Sequence, residues 1–415
     1  MGIGPLGVIE GFYGPPWSWA ARTDVAAWCA ERGMADYVYA PKDDPKHRDQ
    51  WREPYDDEEL AGFETFARDG ALALGFAISP GLSIDPDDDA DVAALAAKVD
   101  QVVSAGAHSV VLALDDIPFG GGPQGAGHAR LTARLRDHLA DRATLALVPT
   151  EYVGLASSPY LDELARGVPE DVPIAWTGRA VVNDTITLAD VRARTAAVGG
   201  RPPLVWDNYP VNDAVMSDRL FLGPLRGRDP GLVDECAGYL ANPMVQPLAS
   251  RLPLASIAAW LRGDDPERAW EQAAADLGWL AFAHACDGVA ANEVVAGGDL
   301  RSIRAHFAAA AACGAPGLED EAGPWLEQAH LDAALALCAV DVLEGERGVN
   351  EVLGLALRWQ ASRRARVSVF GPRCSVRPVL GQADDGTWAV DPASIQADES
   401  AVDTLVRRAV AALAR

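Results

Sequence analysis

Up to about residue 262 the chain alternates two patterns. Short apolar runs occur at Gly7–Tyr13, Asp36–Ala40, Ala73–Ser79, Ser109–Leu114, Ala143–Val148, Pro173–Trp176, Leu204–Asp207 and Gly238–Leu240. Between them apolar positions recur at helical spacing, as at Thr23–Arg32, Asp57–Arg68, Ala90–Ala105, Ala126–Leu139 and Leu188–Val198. The short runs read as strands and the longer ones as amphipathic helices. Parallel neighbours need a crossover, so strand–helix units in series predict a parallel sheet. About eight units in roughly 260 residues fit a (β/α)8 TIM barrel. The alternative, a doubly wound open sheet, calls for a Gly-rich phosphate loop after the first strand, and none is present. Gly120-Gly-Gly-Pro123 contains a proline and lacks a Gly-Lys-Ser/Thr ending, so it makes a poor phosphate loop.

Past residue 263 the pattern becomes helical throughout. Asp264-Asp-Pro-Glu-Arg268 is a helix-start signal, with acidic residues and a proline in the first turn. Ala-rich amphipathic segments follow at 267–286, 299–313, 322–345, 349–364 and 398–414. Gly371 to Pro392 interrupts them as an irregular loop or hairpin. The expected fold is α/β: a (β/α)8 barrel over 1–262, then an all-α helical bundle domain over 263–415. A homodimer through the helical portion is among the expected partners.

Composition narrows the class. Of 415 residues, 49% are hydrophobic and 23% charged, which excludes a mainly disordered chain. No uncharged apolar run approaches the ~18 residues of a membrane span. The N-terminus has neither the basic start nor the long apolar stretch of a secretory signal. The formal charge of −25 argues against nucleic acid as a partner, because an acidic surface repels phosphates. Six cysteines lack CxxC or Cys/His spacing, which reads as reduced, buried thiols in a cytoplasmic protein. No metal or other cofactor is expected. Only three of the 35 basic residues are lysines, Lys42, Lys46 and Lys98. A chain this poor in lysine keeps it where a compact ammonium serves better than a guanidinium.

Barrel active sites form at the C-terminal ends of the strands. Polar residues collect at those ends: Glu10, Lys42-Asp-Asp44, Asp115-Asp116, Thr150-Glu-Tyr152, Trp176-Thr-Gly178, Trp206-Asp-Asn-Tyr209 with Asn212-Asp213, and Asn242. Asp115-Asp116 is the sharpest feature. Within a strand, neighbours face opposite sides, but where the chain turns both can reach one pocket. Close carboxylates push their pKa values apart, which leaves one ionised and one protonated near neutral pH as base and acid. A surface turn or a metal-binding pair is the competing reading. The runs Asp56–Glu59 and Asp85–Asp91 read as helix caps. His47 reads as structural support, and the other histidines lack ligand spacing. Aromatics share the rim, Phe12, Tyr13, Tyr152, Trp176, Trp206 and Tyr209, with Phe12 and Trp176 expected in the core. Aromatic walls beside carboxylates, amides and one ammonium suit a sugar.

Four ordered motifs carry a resemblance: Gly7-Val-Ile-Glu-Gly-Phe-Tyr-Gly-Pro-Pro-Trp17, Tyr39-Ala-Pro-Lys-Asp-Asp-Pro-Lys-His-Arg48, Leu114-Asp-Asp-Ile117 and Trp206-Asp-Asn-Tyr-Pro-Val-Asn-Asp213. Over residues 5 to 262 they resemble glycoside hydrolase family 84, the O-GlcNAcases or β-N-acetylglucosaminidases. The resemblance implies a (β/α)8 barrel and retaining hydrolysis of β-linked N-acetylglucosaminides on a glycan or glycoprotein. It implies substrate assistance, in which the 2-acetamido oxygen attacks the anomeric carbon to form an oxazoline. By position, Asp115 would orient the acetamido group and accept its N–H, and Asp116 would be the general acid and then base. Tyr152 would hold the acetamido oxygen. Lys42 and the Gly11 backbone would bind a hydroxyl. Asn208, Asp213 and Asn242 would bind the remaining polar groups, with Trp206 in the wall. An endo-acting, hyaluronidase-like hydrolase and a catalytically weak GlcNAc-binding protein are the alternatives.

Overall fold

The computed structural model describes residues 4–118, 124–346, 354, 357–358, 367–371, 380–382, 388–390 and 400–413. Eight parallel strands form one sheet: β1 (Leu6–Glu10), β2 (Asp36–Tyr39), β3 (Ala73–Ile78), β4 (Ser109–Ala113), β5 (Thr144–Val148), β6 (Ala175–Trp176), β7 (Leu204–Asp207) and β8 (Gly238–Ala241). Their order is β5-β4-β3-β2-β1-β8-β7-β6. β1 pairs with both β2 and β8, which joins the two ends of the strand series. β5 and β6 meet at the bridge Leu147–Ile174, where the Leu147 N–H donates to the Pro173 carbonyl at 2.9 Å. The sheet is therefore a nearly closed TIM-like barrel.

Helices α1 (Trp19–Ala30), α2 (Asp57–Asp69), α3 (Asp89–Ser104), α4 (Gln124–Leu139), α5 (Pro159–Gly167) and α6 (Leu188–Ala197) cross between successive strands, and α7 (Pro247–Leu261) follows β8. The acidic runs act as caps. Asp56 and Glu59 form a reciprocal capping box on α2, and Asp88 accepts from the Ala90 N–H at the start of α3; both satisfy N–H groups that a helix start leaves open. The seventh unit departs from the expected pattern. Between β7 and β8 stand only two 3-10 turns, Ala214–Met216 and Leu232–Glu235. Gly and Pro crowd the second half of this crossover, at Gly223, Pro224, Gly227, Pro230 and Gly231, where they discourage a helix; the Gly/Pro-free stretch 211–222 closes only the turn Ala214–Met216.

Alternation along the strands sorts side chains into two layers. Ile9, Val38, Ala40, Ala77, Val111, Ala113, Ala146, Val148, Ala175, Leu204 and Leu240 fill the barrel. Val8, Tyr37, Tyr39, Phe76, Leu112, Leu147 and Val205 face the helices.

Helices α8 (Pro266–Asp276), α9 (Leu280–Asp287), α10 (Val289–Gly297), α11 (Leu300–Ala311), α12 (Glu319–Leu343) and α13 (Ala401–Leu413) follow. The helix expected at 267–286 is two helices, because Gly278 takes a left-handed φ of 72° between α8 and α9. The interruption at Gly371–Pro392 contains an antiparallel hairpin, β9 (Leu380–Gln382) with β10 (Trp388–Val390). Most of the expected helix at 349–364, and the Gly120–Pro123 stretch, lie outside the described residues. The outer apolar layer of the barrel runs unbroken into these helices, through Trp270, Phe282, Phe307, Ala336 and Leu405.

Candidate active site

The alternation that fills the barrel also chooses the cavity wall at its C-terminal mouth. Ile9 points inward, and so does Gly11 two residues on. Val38 and Ala40 lead to Lys42, Val111 and Ala113 to Asp115, Leu204 to Trp206 and Asn208, and Leu240 to Asn242. These residues, with Tyr13, Asp116, Tyr152, Thr177 and Asp213, line one cavity of about 230 Å3. All nine residues singled out from the sequence stand on it. Among the rim carboxylates, Glu10 and Asp207 do not, because they have outward parity. Glu10 accepts from Arg22 Nε at 2.7 Å, from the Trp17 N–H at 2.9 Å and from the Tyr37 hydroxyl. Asp207 is gripped by Arg228 through two bonds of 2.7 Å and by the Tyr239 hydroxyl.

Asp115 follows its strand's parity and Asp116 breaks it. Asp116 sits at φ 50°, a left-handed turn that Asp tolerates better than most residues. The turn brings its carboxylate back to the cavity beside its neighbour. Arg48 Nη2 donates to the Asp116 carbonyl at 2.9 Å and holds the turn from outside. The side chain is held from two sides: the Tyr13 hydroxyl donates to Oδ2 and the Tyr152 hydroxyl to Oδ1, each at 2.8 Å. Burial pushes the Asp116 carboxyl up, but Lys42, the two phenols and Arg48 together outweigh it and hold it below the usual carboxylate range. In the unliganded site Asp116 is therefore held as the carboxylate. A buried cation and two phenol donors favour that charged form. Burial first, then the charge of Asp116, pushes both phenols well above their ordinary range, so they keep their protons.

Lys42 Nζ donates to Asp115 Oδ2 at 2.5 Å, with both side chains buried. Asp115 Oδ1 is buried without a partner. An uncompensated carboxylate oxygen in a cavity is costly and calls for a donor from a ligand. Asn242 accepts from the Gly11 N–H at 3.1 Å and donates to Asn208 Oδ1 at 2.9 Å, and Trp206 Nε1 donates to the same oxygen at 2.9 Å. The amides are thus locked in orientation. Asp213 accepts from the Tyr13 N–H at 2.7 Å. Burial raises its carboxyl, the neighbouring Asp116 charge adds to this, and the Tyr13 bond opposes it.

Of the three lysines only Lys42 reaches the cavity. Lys46 pairs with Glu59 at 2.5 Å, and Lys98 lies 3.6 Å over the Tyr55 ring and donates to the Glu53 carbonyl. His47 is buried, its charged form disfavoured first by burial and then by Lys42, Arg48 and Lys98. Its carbonyl accepts from the Ser79 N–H at 2.9 Å, which ties the loop to β3. Phe12 and Trp176 are core residues. Tyr209 points its hydroxyl at the Gly223 carbonyl and lies off the cavity. Cys29, Cys236, Cys313 and Cys338 are buried thiols and Cys286 a half-buried one, while Cys374 lies outside the described residues. Among the described residues no cluster of three His, Cys, Asp or Glu side chains could hold a metal ion, and no helix is long and apolar enough to cross a membrane.

The sequence reading placed Thr177 at the rim without a role, although it follows inward Ala175 by two and lines the cavity. The Arg48 bond to Asp116 and the wall from Ala214 to Met216 carried no local signal.

Residues 6–287 match the family model described as beta-N-acetylglucosaminidase. The chain belongs to this family, glycoside hydrolase family 84. It is similar to the protein O-GlcNAcases of Rattus norvegicus and Mus musculus, each 33% identical over 275 residues. That alignment covers 62% of this chain and 30% of those proteins, so the chain spans less than a third of their length. Among solved structures, a mutant O-GlcNAc hydrolase of Thermobaculum terrenum superposes with a TM-score of 0.80 at 23% identity, covering 99% of this chain and 94% of that one. The structure named CpGH84B gives 0.79 at 23% identity, covering 98% and 76%. These two likenesses concern the fold. The family's glycoside hydrolase chemistry gives the cavity its context: a pocket of one ammonium, two amides, three carboxylates and aromatic walls at a barrel mouth.

Proposed function

We propose that this protein is a retaining β-N-acetylglucosaminidase that removes terminal β-linked N-acetylglucosamine from a glycan or glycoprotein by substrate assistance. The observation that carries the reading is the buried, partnerless Oδ1 of Asp115, in one cavity with the Asp116 carboxylate and the Tyr152 hydroxyl. An acetamido group meets both needs: its N–H supplies the donor that Asp115 lacks, and its carbonyl accepts from Tyr152. Held this way, the acetamido oxygen faces the anomeric carbon.

In the first step that oxygen forms a bond to the anomeric carbon as the glycosidic bond breaks. Asp116 delivers a proton to the leaving oxygen, and Asp115 accepts the N–H proton as positive charge grows on the nitrogen. An oxazoline results. In the second step Asp116, now a base, takes a proton from water. The water oxygen bonds to the anomeric carbon as the bond from that carbon to the oxazoline oxygen breaks, Asp115 returns its proton to the nitrogen, and N-acetylglucosamine leaves with its β configuration retained. No enzyme nucleophile is required. Lys42, Asn208, Asp213 and Asn242 bind the sugar hydroxyls against Trp206.

Turnover of an aryl β-N-acetylglucosaminide tests this most simply. The enzyme is expected to release the aryl alcohol and to leave the corresponding β-glucoside, which has no acetamido group, essentially untouched. Equal turnover of the two, or of neither, would refute the reading.

A further inference from the structure

The proposed acid is ionised in the free site, so a proton has to reach Asp116 before the leaving oxygen can receive one. The groups facing its carboxylate come from five places: Tyr13 after β1, Lys42 and Arg48 after β2, Asp115 beside it, Tyr152 after β5 and Asp213 after β7. Lys42 carries three donor protons and can serve Asp115 and a sugar hydroxyl together. A phenol carries one. The Tyr152 proton is committed to Asp116 Oδ1 at 2.8 Å, and the same hydroxyl is the one placed for the acetamido oxygen. It cannot donate to both.

We propose that Tyr152 is a binding-operated switch on Asp116: its single hydroxyl proton serves the carboxylate in the free enzyme and the acetamido oxygen in the complex, so that substrate arrival draws a proton from solvent onto Asp116. The inference rests on the functional reading above. The sign follows from the loss of a donor. A hydrogen bond to a carboxylate favours its charged form, so removing the bond favours protonation. The entering sugar also displaces water from the cavity, which disfavours charge further. The proton taken up is the one Asp116 then passes to the leaving oxygen, so acid and substrate arrive together. Tyr13 keeps its bond to Oδ2 and holds the carboxyl in place through the change. Tyr152 thereby acts on the reaction through Asp116 as well as through the substrate.

Calorimetric titration of the full chain with N-acetylglucosamine, in buffers of different ionisation enthalpy, reads the protons taken up per ligand bound. The wild type is expected to take up as much as one proton, the most that one carboxylate can bind. Asp116→Asn should bind the sugar with that uptake lost. Tyr152→Phe should show reduced uptake, because its carboxylate has lost the donor before the ligand arrives. Carboxyl-carbon NMR of the ligand-free protein gives an arm independent of binding. The resonance missing from Asp116→Asn should titrate at higher pH in Tyr152→Phe than in the wild type. Binding without proton uptake, full uptake in Asp116→Asn (which would assign the proton to another group such as Asp213), or an unmoved NMR midpoint would each overturn the switch while leaving the substrate class standing. Absence of any N-acetylglucosamine binding would instead overturn the functional reading, and the switch with it.

Discussion

Asp116 lies in a left-handed turn with two phenols on its carboxylate and a guanidinium on its carbonyl. Asn at this position keeps the size and the acceptor oxygen but delivers no proton. The expected loss in kcat/KM, which reports bond cleavage, is about 10²–10⁴-fold for a substrate with a poor leaving group, the usual worth of general acid help. An aryl alcohol that leaves easily needs less help and should lose far less. Equal losses on the two substrates would remove Asp116 from the acid role. At this scale the sequence was informative about identity and silent about state. The adjacent carboxylates, the amides and Lys42 were legible at strand ends. The ionised form of Asp116 was not, because it depends first on Lys42 and then on Tyr13 and Tyr152, the phenols lying 103 and 36 residues away.

Strands were the most legible elements, because apolar alternation reports both their place and their facing. β7 spans Leu204–Asp207 as expected, while β1 stops at Glu10, where the Gly11 N–H turns to Asn242 and the Ile9 carbonyl. β6 shrinks to two residues, and Pro173 beside it has no N–H to extend the ladder. The crossover between β7 and β8 departed from the helix expectation, holding only two 3-10 turns, and that same irregular stretch supplies Asp213 and the wall from Ala214 to Met216. Gly11 shows what the end of an element demands. A Cβ there would come within 2.2 Å of the Trp206 ring, and that ring is fixed by its bond to Asn208. Gly11→Ala should therefore displace Trp206, destabilise the fold by about 1–3 kcal/mol as overpacked sites do, and raise KM more than it lowers kcat. Thermal unfolding together with aryl-glycoside kinetics checks both; unchanged stability and KM would mean the ring moves freely.

On the scale of the molecule the helical portion supports the barrel mouth. Trp325 of α12 donates to the Asp218 carbonyl at 2.8 Å, and Ser368 donates to the same residue through its backbone and its hydroxyl. Asp218 lies just past the wall from Ala214 to Met216. Glu321 of α12 accepts from the Leu248 and Ala249 N–H groups at 3.0 and 3.1 Å, which caps α7 across the junction. Partners 107 and 150 residues apart leave no local trace, so the amphipathic pattern revealed helices but not what they brace. All of this structure serves one chemical claim, that the substrate's own acetamido oxygen is the nucleophile. The most direct test replaces the N-acetyl methyl of an aryl glycoside by mono-, di- and trifluoromethyl groups and follows kcat/KM. Each fluorine withdraws electron density from that oxygen, so the rate should fall steeply along the series. A flat series, with a covalent glycosyl-enzyme trapped by a 2-fluoro sugar, would show an enzyme carboxylate attacking instead and would contradict the account.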